Sequence, residues 1–380
     1  MSELAPLGVY VHWPYCARIC PYCDFNVVRH RGAAEPAALA RAIMADLEAQ
    51  AALTGPRELV SIFFGGGTPS LMDPDWAAEI VQTAKRLWTP AGDLEITLEA
   101  NPTDAEAHAF SAFAQSGVNR LSLGLQSLDN RALAFLGRNH DAAAGMRAAE
   151  AARAAFPRLS IDLIYARPGQ TTEAWTAELK AALALGPEHV SPYQLTIEPG
   201  TAFHRAVRRG RFAPPDPESG AALFESTQGV LAEAGFDAYE VSNHARGEPA
   251  RSRHNLVYWR GADYVGAGPG AHGRITVGGV RQATYAAPRP ADYIGRVDAA
   301  GVGFESRAAL SPREAAEERL LTGLRIAEGL PRGDLAALDI PTGRIAELVR
   351  LGLLADDPAR IRATAAGRLV LDRLTAELAG

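Results

Sequence analysis

The chain holds three cysteines, at positions 16, 20 and 23, in the string Cys16-Ala-Arg-Ile-Cys20-Pro-Tyr-Cys23. Thiolates are strong ligands for soft metals, and one short loop can turn all of them toward a single inorganic centre. Several chemistries fit this spacing. One is an iron–sulfur cluster, usually held by four cysteines, with one iron here left open to another molecule. Another is a zinc ion completed by His12 or His30 as a Cys3His set. The plainest is a group of buried thiols with no metal. An odd number so closely spaced does not read as a disulfide framework.

A loop of this kind needs elements to hold it. Up to about residue 196, short apolar runs alternate with longer helical stretches. The predicted strands are Gly8–Trp13, Leu59–Phe64, Leu94–Ala100, Arg120–Leu125, Leu159–Tyr165 and His189–Thr196. The predicted helices between them include Glu35–Leu53, Asp75–Leu87, Asp104–Ser116, Asn130–Ala155 and Thr172–Leu185. Pro and Asp near the helix starts suit a first turn. Repeated strand–helix units imply an α/β fold with a parallel sheet and right-handed crossovers, and six units suit a partial (β/α)6 barrel. Ligands of such folds bind beyond the carboxyl ends of the strands. On that rim fall the cysteine loop, Gly65-Gly66-Gly67-Thr68-Pro69, Glu99, Gln126, Asp162 and Gln194. Any one of these could be a turn or a satisfied polar residue, but their shared placement favours a site.

The spacing CxxxCxxC, with Tyr22 just before the last cysteine, resembles the radical S-adenosylmethionine superfamily. The context agrees: a β1 run Val9-Tyr10-Val11-His12 precedes the cysteines, and a GGGTP loop follows the second strand. The resemblance implies a [4Fe–4S] cluster on Cys16, Cys20 and Cys23, whose open iron chelates S-adenosylmethionine. Reduction then cleaves the sulfonium to a 5′-deoxyadenosyl radical. It further implies cofactor contacts from Tyr10, Tyr22, Gly66, Gly67, Thr68, Glu99, Gln126, Arg138 and Asp162. The glycines would let backbone approach the methionine moiety, and Arg138 would clamp its carboxylate. Glu99 and Asp162 would take ribose hydroxyls or the amino group.

The strings HWPYCARICPYCDFN, FFGGGTPS, LSLGLQS, FLGRNH, IDLIYARPGQ and YQLTIEPGT together resemble the oxygen-independent coproporphyrinogen III oxidase family. Within that family the oxidases carry a fourth cysteine two positions after the third, and an N-terminal extension. Here Phe25 takes that position and the cluster loop begins at residue 16. The other branch, of heme chaperones, is marked by CPYCDFN and HNxxYW, the latter matched by His254-Asn255-Leu256-Val257-Tyr258-Trp259. The resemblance implies haem as a further ligand, with His254 on the iron and Tyr258 and Trp259 over the porphyrin. Arg251 and Arg253 would meet the propionates, and His272 is a second candidate ligand. The implied function is delivery of haem to acceptor proteins such as cytochromes; the alternative is oxidative decarboxylation of coproporphyrinogen III.

The expected organisation is a barrel over residues 1–240, a connecting region over 241–305, and a small winged-helix-like domain over 306–380. The stretch from Asn243 to Gly279 reads as loop. A formal net charge of −6 and the lack of a basic recognition helix argue against nucleic acid as a partner. No apolar run approaches the ~18 residues of a membrane span, and the first residues lack a signal-peptide pattern. A cytoplasmic protein is expected, reaching membranes only through partners; a homodimer stays open.

Overall fold

The computed structural model describes residues 4–29 and 34–379. Six strands run parallel in sequence order: β1 (Pro6–Trp13), β2 (Glu58–Gly66), β3 (Thr89–Ala100), β4 (Arg120–Gln126), β5 (Arg158–Tyr165) and β6 (His189–Gln194). They are buried on both faces, as a parallel sheet covered by helices must be. The principal covering helices are α1 (Ala34–Thr54), α2 (Pro74–Leu87), α3 (Ala142–Ala155), α4 (Thr172–Leu183) and α5 (Pro217–Glu233). Side chains at the N-caps start several of them: Asp73, Asp141, Thr171 and Asp216 each accept a backbone N–H of the first turn.

Three boundaries differ from expectation. The helix expected over Asn130–Ala155 is broken into Asn130–Phe135 and α3, because Gly137 turns left-handed at φ +68° and Asp141 caps a new helix. The Asp104–Ser116 segment is likewise divided, into Asp104–Ala107 and Phe110–Gln115. The largest correction concerns Asn243–Gly279, which is structured. It carries α6 (Arg253–Trp259), β7 (Asp263–Ala267) and β8 (His272–Val277). β7 pairs parallel with β1 on its free edge, Val9 opposite Val265. β8, β9 (Val280–Ala286) and β10 (Phe304–Ala309) extend the sheet antiparallel from there. The result is an open twelve-stranded mixed sheet. Its short strands and many glycines hid this region from a period-based reading.

After β10 comes a small helical unit with its own apolar cluster of Leu320, Leu330, Leu348, Ile361 and Leu374. It starts with α7 (Pro312–Gly323), fixed by a capping box between Ser311 and Glu314. A two-residue antiparallel pair, Leu330–Pro331 with Arg360–Ile361, brackets the helix Arg344–Arg350. The closing helix is α8 (Leu371–Ala379). This order of helix, strand, helix, strand, helix is winged-helix-like. The unit is pinned to the barrel by Arg325 on the buried Glu240 and by Arg260 on Glu328.

Candidate functional site

β1 runs through Pro14 into Tyr15–Cys16, which pairs in parallel with Val28–Arg29 and so closes the cysteine loop at its base. Cys16 is buried, Cys20 and Cys23 are half-buried, and all are free thiols. The Cys23 N–H donates to the Cys20 carbonyl at 3.2 Å, tightening the loop. Burial pushes the Cys16 thiol up and the Cys23 thiol to about 11, with the other cysteines' charges adding to it. The zinc alternative loses its described fourth ligand. His12 has Nδ1 bonded to the Tyr10 hydroxyl at 2.9 Å and Nε2 to the Asn26 carbonyl at 2.8 Å. His30 lies outside the described residues. Among the described residues no three His, Cys, Asp or Glu side chains converge on one point as a single ion requires. A tetrahedral zinc would draw thiolates to about 4 Å from one another. An iron–sulfur cube takes one thiolate per iron corner, from points farther apart.

A hydrogen-bonded chain joins the loop to the rim. Thr68 Oγ1 contacts Cys16 Sγ at 3.6 Å and accepts from Asn101 Nδ2 at 3.0 Å; Asn101 Oδ1 in turn accepts from Arg138. Arg138 also reaches Cys20 Sγ and the Tyr22 hydroxyl, each at 3.5 Å. The glycine loop is explained by packing. Gly66 has φ +108°, and a Cβ there would lie 2.6 Å from the His12 ring. A Cβ on Gly67 would lie 2.7 Å from the Pro14 backbone. Both glycines let the loop lie against β1 and the cysteine strand.

The rest of the rim is short of partners. Glu99 accepts the Gly66 N–H at 3.2 Å, and burial, with Asp162 nearby, pushes its carboxyl up to about 8. Asp162 accepts from Ser122 at 2.9 Å and is pushed to about 6 by burial, while its Oδ1 is buried without a partner. Gln126 sits at φ +62°, a strained conformation for a side-chain-bearing residue, and its Oε1 is also unpartnered. Arg138 Nε completes the set. Such orphaned groups are rare in folded proteins and ask for a missing partner. A ligand with a cationic centre, an amino group, a carboxylate and hydroxyls would satisfy them, and S-adenosylmethionine has all four.

Beside this rim opens a cleft of about 680 Å³. Tyr10, His12, Gly66 and Glu99 form its floor, and Asp24, Phe25 and Asn26 of the cysteine loop one side. Tyr258 and Trp259 of α6, residues of β7–β9, and α7 complete it. His254 is not where the sequence placed it functionally. It is 1% exposed, with Nδ1 bonded to Ser61 Oγ at 2.9 Å and Nε2 to the Tyr258 hydroxyl at 2.7 Å. Burial holds its pKa down to about 3. It offers no free nitrogen to a metal; it braces α6 against β2. Arg251 stacks over Tyr239 and Arg253 pairs with Asp93, so neither lines the cleft.

Comparison with known proteins settles the family. The Radical SAM superfamily model matches residues 10–182, and the HemN C-terminal domain model matches 310–370. Heme chaperone HemW of Mycobacterium tuberculosis is 36% identical, over 99% of this chain and 95% of its own. Heme chaperone HemW of Escherichia coli is 34% identical over 98% of each chain. This chain belongs to the radical SAM superfamily, in its HemW-type branch. A Bos taurus relative, radical S-adenosyl methionine domain-containing protein 1, mitochondrial, is 40% identical over 98% of this chain and 87% of its own. In structure the chain is similar to Escherichia coli coproporphyrinogen III oxidase (HemN), TM-score 0.80 at 23% identity, covering 99% of this chain and 90% of that one. That likeness concerns the fold. Membership in the superfamily implies a [4Fe–4S] cluster and S-adenosylmethionine.

For a radical SAM protein, sequence reasoning missed two positioning residues. Asn26, the last residue of CPYCDFN, donates Nδ2 to the carbonyls of Pro269 and Pro288, each at 2.8 Å, strapping the cysteine loop to the loop before β8 and to the segment after β9. Asn101 links Thr68 to Arg138. Asn26 lay inside a string already singled out and Asn101 two residues beyond Glu99, where an asparagine beside a proline or an aromatic passes for a turn residue. Among the described residues no helix is long and apolar enough to cross a membrane.

Proposed function

We propose that this protein is a heme chaperone, holding a cluster through Cys16, Cys20 and Cys23, and passing haem to acceptor proteins such as cytochromes. The relationship to proteins named heme chaperone HemW, over 98–99% of the chain, carries this reading. Phe25, exposed in the cleft where the oxidases keep a further cysteine, supports it.

In this reading Thr68 and Arg138 orient the cysteine loop, and Arg138 meets the cofactor's carboxylate. Glu99 and Asp162 face its cationic and hydroxyl groups, and Gln126 Oε1 accepts from it. Tyr10 and Tyr22 back the site, Tyr22 through Arg138. Gly66 and Gly67 keep the loop against β1. Cluster and S-adenosylmethionine together supply one-electron reductive chemistry when bound. Tyr258 and Trp259 face haem in the neighbouring cleft.

The test uses anaerobically reconstituted full-length protein, with haem titrated by absorbance and coproporphyrinogen III assayed separately with S-adenosylmethionine and reductant. Haem binding without formation of protoporphyrinogen IX is expected. Turnover to the divinyl product, or no haem binding, overturns the reading. Replacing Cys16, Cys20 and Cys23 with Ala should abolish about four irons per chain while the far-ultraviolet circular dichroism is kept.

A further inference from the structure

We propose that His272, at the start of β8, is the side chain that ligates haem iron, in the cleft between the cysteine loop and α7. The inference rests on the heme-chaperone reading and adds to it the site and the ligand. Among the described residues two histidines line that cleft, His12 and His272. His12 has both ring nitrogens bonded within the protein. His272 is exposed, and its ring makes no hydrogen bond among the described residues. Its one aromatic neighbour is Tyr285, tilted against it at 4.7 Å between centroids. An imidazole with an uncommitted nitrogen at the edge of a cavity is what iron ligation requires.

Two further observations point to a large, flat, apolar ligand. Phe25 is 61% exposed and Leu321 58% exposed. They come from opposite sides of the chain, the cysteine loop and α7, and both face this one cleft. A porphyrin plane between them would cover both. The volume of about 680 Å³ falls in the ordinary range of small-molecule sites. At the polar end, the guanidinium groups of Arg274, Arg281 and Arg319 line the wall, each already oriented by a carboxylate: Glu318, Asp263 and Asp334. Guanidinium forks so fixed match the two propionates of haem.

The loop that presents His272 is rigid. Gly268 has φ +107°, and a Cβ there would overlap the His12 carbonyl at 2.2 Å. Asn26 holds the same loop through Pro269, and the segment after β9 through Pro288. The iron ligand is thereby fixed to the cysteine loop, and haem would sit against the loop that carries the cluster.

The experiment titrates ferric haem into reconstituted full-length protein and reads the Soret band, the axial-ligand signature in electron paramagnetic resonance, and the affinity. His272→Ala is expected to lose the histidine-ligated spectrum and at least tenfold in affinity, with the cluster signal intact. Free imidazole should restore the spectrum, which a merely structural role would not allow. Leu321→Glu, an exposed position that cannot unfold the barrel, should also weaken binding. A wild-type spectrum and affinity in His272→Ala overturn the inference and leave the heme-chaperone reading standing, as does loss of haem that imidazole fails to restore. Unchanged affinity in Leu321→Glu moves the site out of this cleft and overturns it too. If the unaltered protein takes no haem at all, the reading itself falls.

Discussion

Glu95 and Glu99 lie on one strand, β3, at an even spacing that puts both on the same face of the sheet, yet their surroundings are opposite. Glu95 is fully buried and fully partnered. Its Oε2 accepts from Arg120 Nε at 2.9 Å and Arg158 at 3.4 Å. Its Oε1 accepts the N–H groups of Arg253 and His254 at 2.9 and 3.2 Å, at the first turn of α6. Glu99 has one backbone N–H, no cation bonded to it, and a second acid, Asp162, nearby. A buried charge is tolerated when paired and hydrogen-bonded, and disfavoured otherwise. The amino-terminal side of the strand is therefore architecture, closed around its own charges. The carboxyl side is left electrically incomplete, as a binding site for a cationic ligand would be. The two histidines divide the same way: His254 is locked into the closed side, whereas His272 stands open on the cleft.

The largest effect expected of this difference is on stability. Glu95→Ala would leave Arg120, 1% exposed, with Glu188 at 3.9 Å in place of its close carboxylate, would take the hydrogen-bonded acid from Arg158, and would strip the first turn of α6 of the acceptor of two N–H groups. Breaking one side of a buried ion pair costs about 3–5 kcal/mol, so the urea midpoint should fall steeply if the chain folds at all. A change under about 1 kcal/mol would be a surface-pair value and would erase the contrast. Glu99→Gln should do the reverse: stability held or raised, S-adenosylmethionine binding weakened. A charge-assisted hydrogen bond is worth about 1.5–3 kcal/mol, so calorimetry on reconstituted protein should read a loss of about ten- to a hundredfold. Unchanged affinity would take Glu99 out of the site.

Much of the closed side and of the cysteine loop was legible in the sequence because each depends on local pattern. The six parallel strands announced themselves as apolar runs between helices, and the rim followed from the rule about strand ends. Cysteine spacing located the loop without help from the fold. What was illegible depends on long-range pairing. β7 returns to β1 across some 250 residues of chain, and nothing in Asp263–Ala267, a short run with one glycine, signals a parallel partner. His254 was misjudged for a related reason: its motif gave its chemistry, but Ser61 and Tyr258, which consume its nitrogens, meet it only in the fold. The glycines at 66 and 67 were singled out as a ligand's approach, whereas His12 and Pro14, which crowd them, meet them only in the fold.

The smallest expected effect is the most specific to the incomplete rim, and it lies in the pH dependence. Glu99 and Asp162 have carboxyls raised to about 8 and about 6, first by burial. An acid raised on folding holds its proton more tightly in the folded chain. Its contribution to stability is therefore complete below the unfolded value of about 4 and fades as pH rises through the folded one. Without ligand, the protein should lose stability between about pH 4 and 8, with Asp162 acting over the lower part of that window and Glu99 over all of it. Other buried groups titrate as well, so the quantity to measure is the difference between wild type and Glu99→Gln in chemical denaturation. The variant should gain on wild type steadily between about pH 4 and 8, and S-adenosylmethionine, whose sulfonium favours the ionised acids, should bind wild type more tightly as pH rises through the same interval. Denaturation curves that stay parallel from pH 5 to 8 would mean that Glu99 is ionised in the folded state throughout. It would then have a cationic partner, as Glu95 does, and the carboxyl side of β3 would be as closed as the other.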